Sequence, residues 1–319
     1  AVESGFGSED DISRTEDLGV MRFDGDDSVI STDAFERGKR QLGTLGSGNH
    51  FLEVQELTEI FDTAAADAYG LFKGQLCVMF HSGSRGFGYR VCDDYLREFS
   101  ASASSYKAHG IITAHICSSA GKKYLAAMAA AANYGWANRQ VIAFRIKECI
   151  EKTFRAGAAS LGINTVYDIS HNLARQEVSP EGKSLIVVRK GATRAFPAGH
   201  EMNPDSYMET GHPVLLPGDM GRRSYVMKAG INSKDAFYSC AHGAGRKFSR
   251  SAALKKAKGR DIISELREDG VIVRAKSRKY LAEEAPFAYK DVDDVIEGLE
   301  GAGLAVKVAS LRPAAVVKG

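Results

Sequence analysis

The 319-residue sequence predicts an α+β protein. One observation is an alanine-rich stretch from residue 121 to about 154, with Leu, Met and Ile at helical spacing, which predicts a long helix or a broken helical pair. Another is a series of short apolar runs that each end in a Gly- or Asn-bearing turn, the pattern of strands feeding loops. The third is continuity: no internal repeat, low-complexity linker or sharp change of composition divides the chain, so one α+β domain over residues 1–319 is the expectation.

In chain order, a strand is expected from Phe51, after GSGNH, and another over 76–80, before HSGSRGFG. The long helix follows. Further strand-like runs are 165–169 before SHN, LIVV before RKGATRAFPAG, and 214–216 before PGDMG. A second helix is expected after Gly245, through FSRSAALKKAKGRDIISELR, with basic residues over its exposed face.

Composition excludes several classes. With 44% hydrophobic and 26% charged residues the chain is ordinary globular material, not a disordered one. Its net charge of +2 conceals an asymmetry: residues 222–279 hold sixteen Lys or Arg against five Asp or Glu, whereas the first 35 residues are acidic. A basic run of this kind is either a polyanion-binding surface or a solvated face. The five cysteines, Cys77, Cys92, Cys117, Cys149 and Cys240, form no C-x-x-C pair, which suits a reducing, cytoplasmic setting. The most apolar stretch, YLAAMAAAANYGWANRQVIAF, is interrupted by Asn133, Asn138, Arg139 and Gln140, so no membrane span is expected, and no signal peptide is seen. The opening AVESGFGSEDD reads as mid-domain sequence, so an upstream segment is expected.

The chemistry concentrates on histidines. Of eight, four stand where an apolar run meets a turn: His50 in GSGNHF, His81 in FHSGSRG, His171 in SHN and His242 in AHGAG. Loops at strand ends are where a rigid scaffold presents reactive groups. His109, His115, His200 and His212 lack that setting. Neutral imidazole is the commonest metal ligand, and three from separate loops could hold a divalent ion, although a tight site wants a further ligand or a carboxylate. In AHGAGR the nearly bare backbone of Gly243, Ala244 and Gly245 lets a phosphate approach its N–H groups, with Arg246 adding a fixed charge.

Other stretches fit a nucleotide. Phe51 and Glu53 would face one side of a strand, for stacking and for accepting the N–H groups of a base; on these residues alone an ordinary strand with an exposed acid is the preferred reading. Arg189, Lys190 and Arg194, around the turn in RKGATRAFPAG, could clamp phosphate, joined by Arg85, Arg246 and Arg250. PGDMGRRSY offers a further Gly-bearing loop that suits phosphate or a plain surface turn. Neither a P-loop, a nucleophile elbow nor a Rossmann fingerprint is present, so a bound nucleotide would be held by a different design.

GTLGSGNHFLEVQ, HSGSRGFG, SHN, RKGATRAFPAG, PGDMG with its following SY, AHGAGR, YKDVDDVI and the terminal LRPAAVVKG together resemble the RtcB-type RNA ligases, GTP- and manganese-dependent enzymes of tRNA splicing and RNA repair. The resemblance runs nearly the full length in the family's motif order. It implies a single domain with mixed strands around a central His-lined cleft. It implies His242 as the nucleophile that takes GMP from GTP, and His50, His81 and His171 as manganese ligands, two ions being bound in a complete protein. It implies guanine-nucleotide contacts from Asn49, His50, Phe51, Leu52, Glu53 and Asn172. Pro217, Gly218, Asp219, Met220 and Ser224, the backbone of Gly243, Ala244 and Gly245, and Lys318 would complete them. The substrates implied are RNA ends, a 3′-phosphate or 2′,3′-cyclic phosphate and a 5′-hydroxyl, held by the basic clusters.

There is one departure. The family's Asp-x-x-Cys-Gly element, whose aspartate and cysteine are metal ligands, has no counterpart here: none of the five cysteines follows an aspartate by three residues and precedes glycine. The expectations are therefore an N-terminally incomplete ligase that needs a further segment or accessory protein, or a homologue that binds RNA ends or guanine nucleotide without ligating. A metal-dependent phosphoesterase acting on cyclic phosphate ends would use the same histidines.

Overall fold

The computed structural model describes all residues except 23–26, 102–105, 109–110 and 180. Helices and mostly antiparallel sheets confirm the α+β expectation. The chain packs as two compact units interleaved along the sequence, one of residues 1–12, 17–44 and 82–164, the other of 13–16, 45–81 and 165–319. One boundary, between residues 12 and 13, falls inside the helix Glu9–Ser13, so no linker marks the division there and composition does not reveal it.

The first unit is built on helices. Thr32–Gln41, Arg85–Ala101 and Ser119–Phe154 bury Ala34, Phe87, Val91, Tyr95, Phe99 and Ala127 together. The long helix starts where Ser118 accepts a hydrogen bond from Gly121 N, satisfying one of the four unpaired amides of its first turn. Asn138, polar in the middle of this helix, is fully buried. Its amide accepts from Gly43 N at 2.7 Å and donates to Ser82 Oγ and the Gly83 carbonyl at 3.1 Å, so its burial carries no unpaired polar group. No described helix is long and apolar enough to cross a membrane.

The second unit is built on a six-stranded sheet ordered Leu76–His81, Phe51–Ile60, Ala305–Lys318, Ser224–Ala229, Val214–Leu216, with Ile272–Ala275 pairing parallel to Ala305–Lys318. The central Ala305–Lys318 strand is long enough to take all three neighbours. Smaller antiparallel pairs join Ala174–Val178 to Ser184–Val188 and Ala192–Arg194 to Ser239–Ala241. Leu57, Tyr69, Tyr207, Val226, Val308 and Leu311 fill one apolar core of this unit.

Two expected elements differ. Residues 165–169 form no strand; only Asp168 bridges, to Thr15. The helix expected after Gly245 is two, Arg250–Lys256 and Ile262–Glu268, because Gly259 turns left-handed at φ 80° and Asp261 caps a fresh start through Ser264 N.

Candidate active site

All four singled-out histidines belong to the second unit, and their rings form a chain. Centroids lie 5.2 Å apart for His50 and His81, 4.7 Å for His81 and His171, and 4.4 Å for His171 and His242. Strand pairing arranges this: His81 ends its strand opposite Phe51, the residue after His50, while His171 bridges Thr193, whose other partner is Cys240, two residues before His242.

Protonation states follow from the surroundings. His50 Nδ1 lies 2.8 Å from the Leu45 carbonyl oxygen, so Nδ1 carries the proton and Nε2 the lone pair. Burial first, and then neighbouring His171, hold His81 well below the ordinary imidazole value. His81 Nε2 and His171 Nε2 stand 3.2 Å apart. Two nitrogens each about 2.1 Å from one ion, at right-angled to tetrahedral geometry, are separated by about 3.0–3.4 Å. The pair therefore fits adjacent ligand positions of a divalent cation. Among the described residues, no group of three or more His, Cys, Asp or Glu is gathered to hold an ion unaided.

His242 follows the short strand Ser239–Ala241. Burial, then the charge of Lys190, lowers its pKa, so it is neutral at physiological pH. Its Nδ1 is buried without a hydrogen-bond partner, which leaves Nε2 as the nitrogen to meet a ligand. The turn that follows is pinned on both sides: Ala244 N donates to the Pro217 carbonyl at 3.3 Å, and Lys290 N to the Gly245 carbonyl at 3.0 Å. Gly245, at φ 74°, takes the left-handed conformation that this turn needs.

The strand Phe51–Ile60 supplies a polar column. Its alternation buries Phe51, Glu53 and Gln55, at 8%, 3% and 0% exposure, and leaves Leu52 on the opposite face. Burial pushes the Glu53 carboxyl up to about 8; the Gln55 hydrogen bond and Lys318 oppose that rise, and Asp219 adds to it. Gln55 Nε2 donates to Glu53 Oε2 at 2.8 Å and to Ser224 Oγ at 3.1 Å, and Ser224 Oγ accepts from Gly218 N at 3.2 Å. Asp219 is buried, its Oδ1 accepting from Gly221 N and Arg222 N, while Met220 packs into an apolar cluster with Ile262 and Leu266.

Lys318 is not a frayed tail. It is 6% exposed, its Nζ is 5.8 Å from the centre of the Phe51 ring, and its strand pairs it with Ala275. Burial lowers its pKa, with Glu284 and Glu53 acting against that shift. Gly319 approaches the Gly46 carbonyl so closely that a Cβ there would lie 2.0 Å from it. Asn49 and Asn172 are exposed; Asn172, at φ 57°, accepts from Gly191 N at 2.7 Å.

The expected cations part company. Arg189 and Arg194 are buried at 5% and 3% exposure, and both spend their guanidinium groups on Glu177. Arg246 is held by Glu284, by the Glu283 carbonyl and over the Tyr289 ring. Lys190 is exposed, and Arg250 is largely so while reaching Glu284. Arg85 belongs to the first unit, where it donates to Thr44 Oγ1 at 3.2 Å.

Sequence reasoning missed Gln55 and Glu284 as site residues. Gln55 was within reach, two residues beyond Glu53 on the same strand face; Glu284 had no local signal, because its partners come from 246, 250 and 289. The remaining histidines are structural or surface groups: His212 is buried with Nε2 accepting from Phe196 N, His200 stacks on Phe196, and His115 bonds Cys117 N. His109 lies outside the described residues.

Comparison with known proteins adds a family. The model of the family described as tRNA-splicing ligase RtcB matches residues 1–319. A tRNA-splicing ligase RtcB of Methanocaldococcus jannaschii is 45% identical over 327 residues, covering 100% of this chain and 34% of the relative. One from Thermococcus kodakarensis is 45% identical, covering 100% of this chain and 68% of the relative, and an RNA-splicing ligase RtcB of Mycobacterium bovis is 46% identical, covering 74% of the relative. The chain spans about a third of the length of the first of these relatives.

Proposed function

The chain belongs to the tRNA-splicing ligase RtcB family, and from that premise we propose that it carries the guanylylation and end-joining centre of an RNA ligase. The observation that carries the proposal is His242: a neutral imidazole with Nδ1 buried, on a turn tied to Pro217 and Lys290, with its ring 4.4 Å from that of His171.

Its Nε2 lone pair attacks the α-phosphorus of GTP; the N–P bond forms, the bond to the bridging oxygen breaks, and pyrophosphate leaves with the electron pair. A 3′-phosphate oxygen of RNA, set free when water opens a 2′,3′-cyclic phosphate, then takes the GMP and releases the imidazole. Finally the 5′-hydroxyl of the second end attacks the activated 3′-phosphate and GMP departs. A 2′,3′-cyclic or linear 3′-phosphate and a 5′-hydroxyl are thus the RNA ends this reading requires.

Manganese, held by His50, His81 and His171, would neutralise the phosphate charge around these displacements. Its anionic ligands come from outside the histidine group, from another segment or an accessory protein. Glu53 suits the N–H edge of guanine, Phe51 and Lys318 lie beside it, and Asn49, Asn172, Ser224 and the Pro217, Gly218 and Asp219 turn complete the nucleotide contacts. Lys190 and Arg250 take RNA phosphates, with Arg246 as a further candidate; Arg189 and Arg194 instead hold the loop from inside.

The test is a joining assay with GTP, manganese and RNA ends bearing a cyclic phosphate and a 5′-hydroxyl. Joined product that requires both GTP and manganese supports the proposal. Release of 3′-phosphate with no joined RNA would assign the histidines to a phosphoesterase instead.

A further inference from the structure

Gln55 is a fully buried polar side chain beside the nucleotide contacts, at 0% exposure, and nothing in the reaction uses it directly. Its amide nitrogen bridges two strands: it donates to Glu53 Oε2 on its own strand and to Ser224 Oγ on the strand Ser224–Ala229. Ser224 Oγ in turn accepts from Gly218 N. One Nε2 therefore ties together the acid, the hydroxyl and the Gly-bearing turn that the ligase reading gives to the guanine nucleotide.

The backbone reinforces this. The strand has an irregularity between Val54 and Gln55 in its pairing with Ala305–Lys318, so Gln55 stands opposite Pro313 while Val54 stands opposite Ala315. Such a break in register re-aims a side chain without ending the strand. It sits where Gln55 must turn back toward Glu53 and across to Ser224.

A buried carboxyl can discriminate between bases only if its free oxygen points one way, and the donors of a bound guanine favour its ionised, accepting form over the protonated form that burial alone favours. Guanine presents N1–H and an exocyclic N2 amino group as neighbouring donors, hypoxanthine lacks the N2 amino group, and adenine has an acceptor at N1. By occupying Oε2, Gln55 fixes the direction of Oε1. Resting on the ligase reading above, we infer that Gln55 is a positioning residue for base selectivity: its amide locks Glu53 and Ser224 in the orientation that accepts guanine donors and rejects bases lacking them.

A site built to hydrogen-bond a donor rejects the analogue without it far more strongly than a loose one. Loss of the clamp should therefore lower selectivity before it lowers chemistry. Gln55→Leu and Gln55→Met preserve much of the volume and remove the donor. Protein labelling would be followed with GTP, ITP and ATP, with thermal melting to establish that each variant is folded.

The expected result is a KM for GTP raised about 10-fold, a KM for ITP nearly unchanged, and kcat for GTP within about 3-fold of the parent. A merely structural role would move GTP and ITP together. If the parent prefers GTP and both variants retain its GTP-to-ITP ratio, the clamp is refuted while the ligase reading stands. If the parent labels with all three nucleotides equally, guanine recognition is wrong and the clamp falls with it.

Discussion

His81 and His171 face each other through their Nε2 atoms at 3.2 Å, although 90 residues separate them in the chain. The low pKa of His81 keeps its ring neutral, and in the tautomer with the proton on Nδ1 its Nε2 lone pair is directed at a cation shared with His171. Manganese should stabilise the chain against thermal unfolding, by about 2.7 kcal/mol at a hundredfold excess over its Kd. The shift in Tm on adding manganese should vanish in His171→Ala. An equal shift in that variant would place the ion elsewhere.

Arg189 and Lys190 are neighbours in sequence with opposite duties. Arg189 is buried against Glu177, Ser239 Oγ and the Phe237 carbonyl, whereas Lys190 is exposed. Arg189→Met should cost stability, on the order of 3 kcal/mol because Arg194 still pairs with Glu177, with the slope of RNA affinity against salt unaltered. Lys190→Ala should leave Tm in place and reduce that log–log slope by about 1. Denaturant titration and RNA binding at several salt concentrations separate the two, and a reversed pattern would contradict the assignment.

His212 makes acid stability predictable. Burial holds its pKa at about 4 against an ordinary 6.5, opposed by the hydrogen bond to the Pro213 carbonyl. The unfolded chain therefore binds the proton more readily, and stability falls as pH drops from about 6.5 toward 4, by at most about 3 kcal/mol. Above 6.5 this residue imposes no pH dependence. Urea titrations at pH 7.5 and 4.5 should show the loss, and His212→Gln should reduce it; an unchanged difference would assign the acid sensitivity to other groups.

The α+β class, the long helix and the strands at Phe51, Leu76 and Val214 were legible because periodicity and turn residues act over a few neighbours. The four histidines were legible for the same reason, each at the end of an apolar run. The Glu284 network was not: Arg246, Arg250 and Tyr289 meet a carboxylate that only tertiary packing brings among them. Burial was also invisible, so Arg189 and Arg194 read as a surface clamp when Glu177 holds them inside. The burial of Lys318 comes from its place at the end of the long strand beside Ala275, which nothing adjacent in sequence announces.

The central claim is that His242 is the nucleophile. Incubation with α-labelled GTP and manganese, together with any protein segment that supplies the anionic metal ligands, should give a protein-bound label that is acid-labile and alkali-resistant, as a phosphoramidate is. That label should be lost in His242→Ala. A label that persists at full level in the variant would contradict the claim and move the covalent chemistry to another residue.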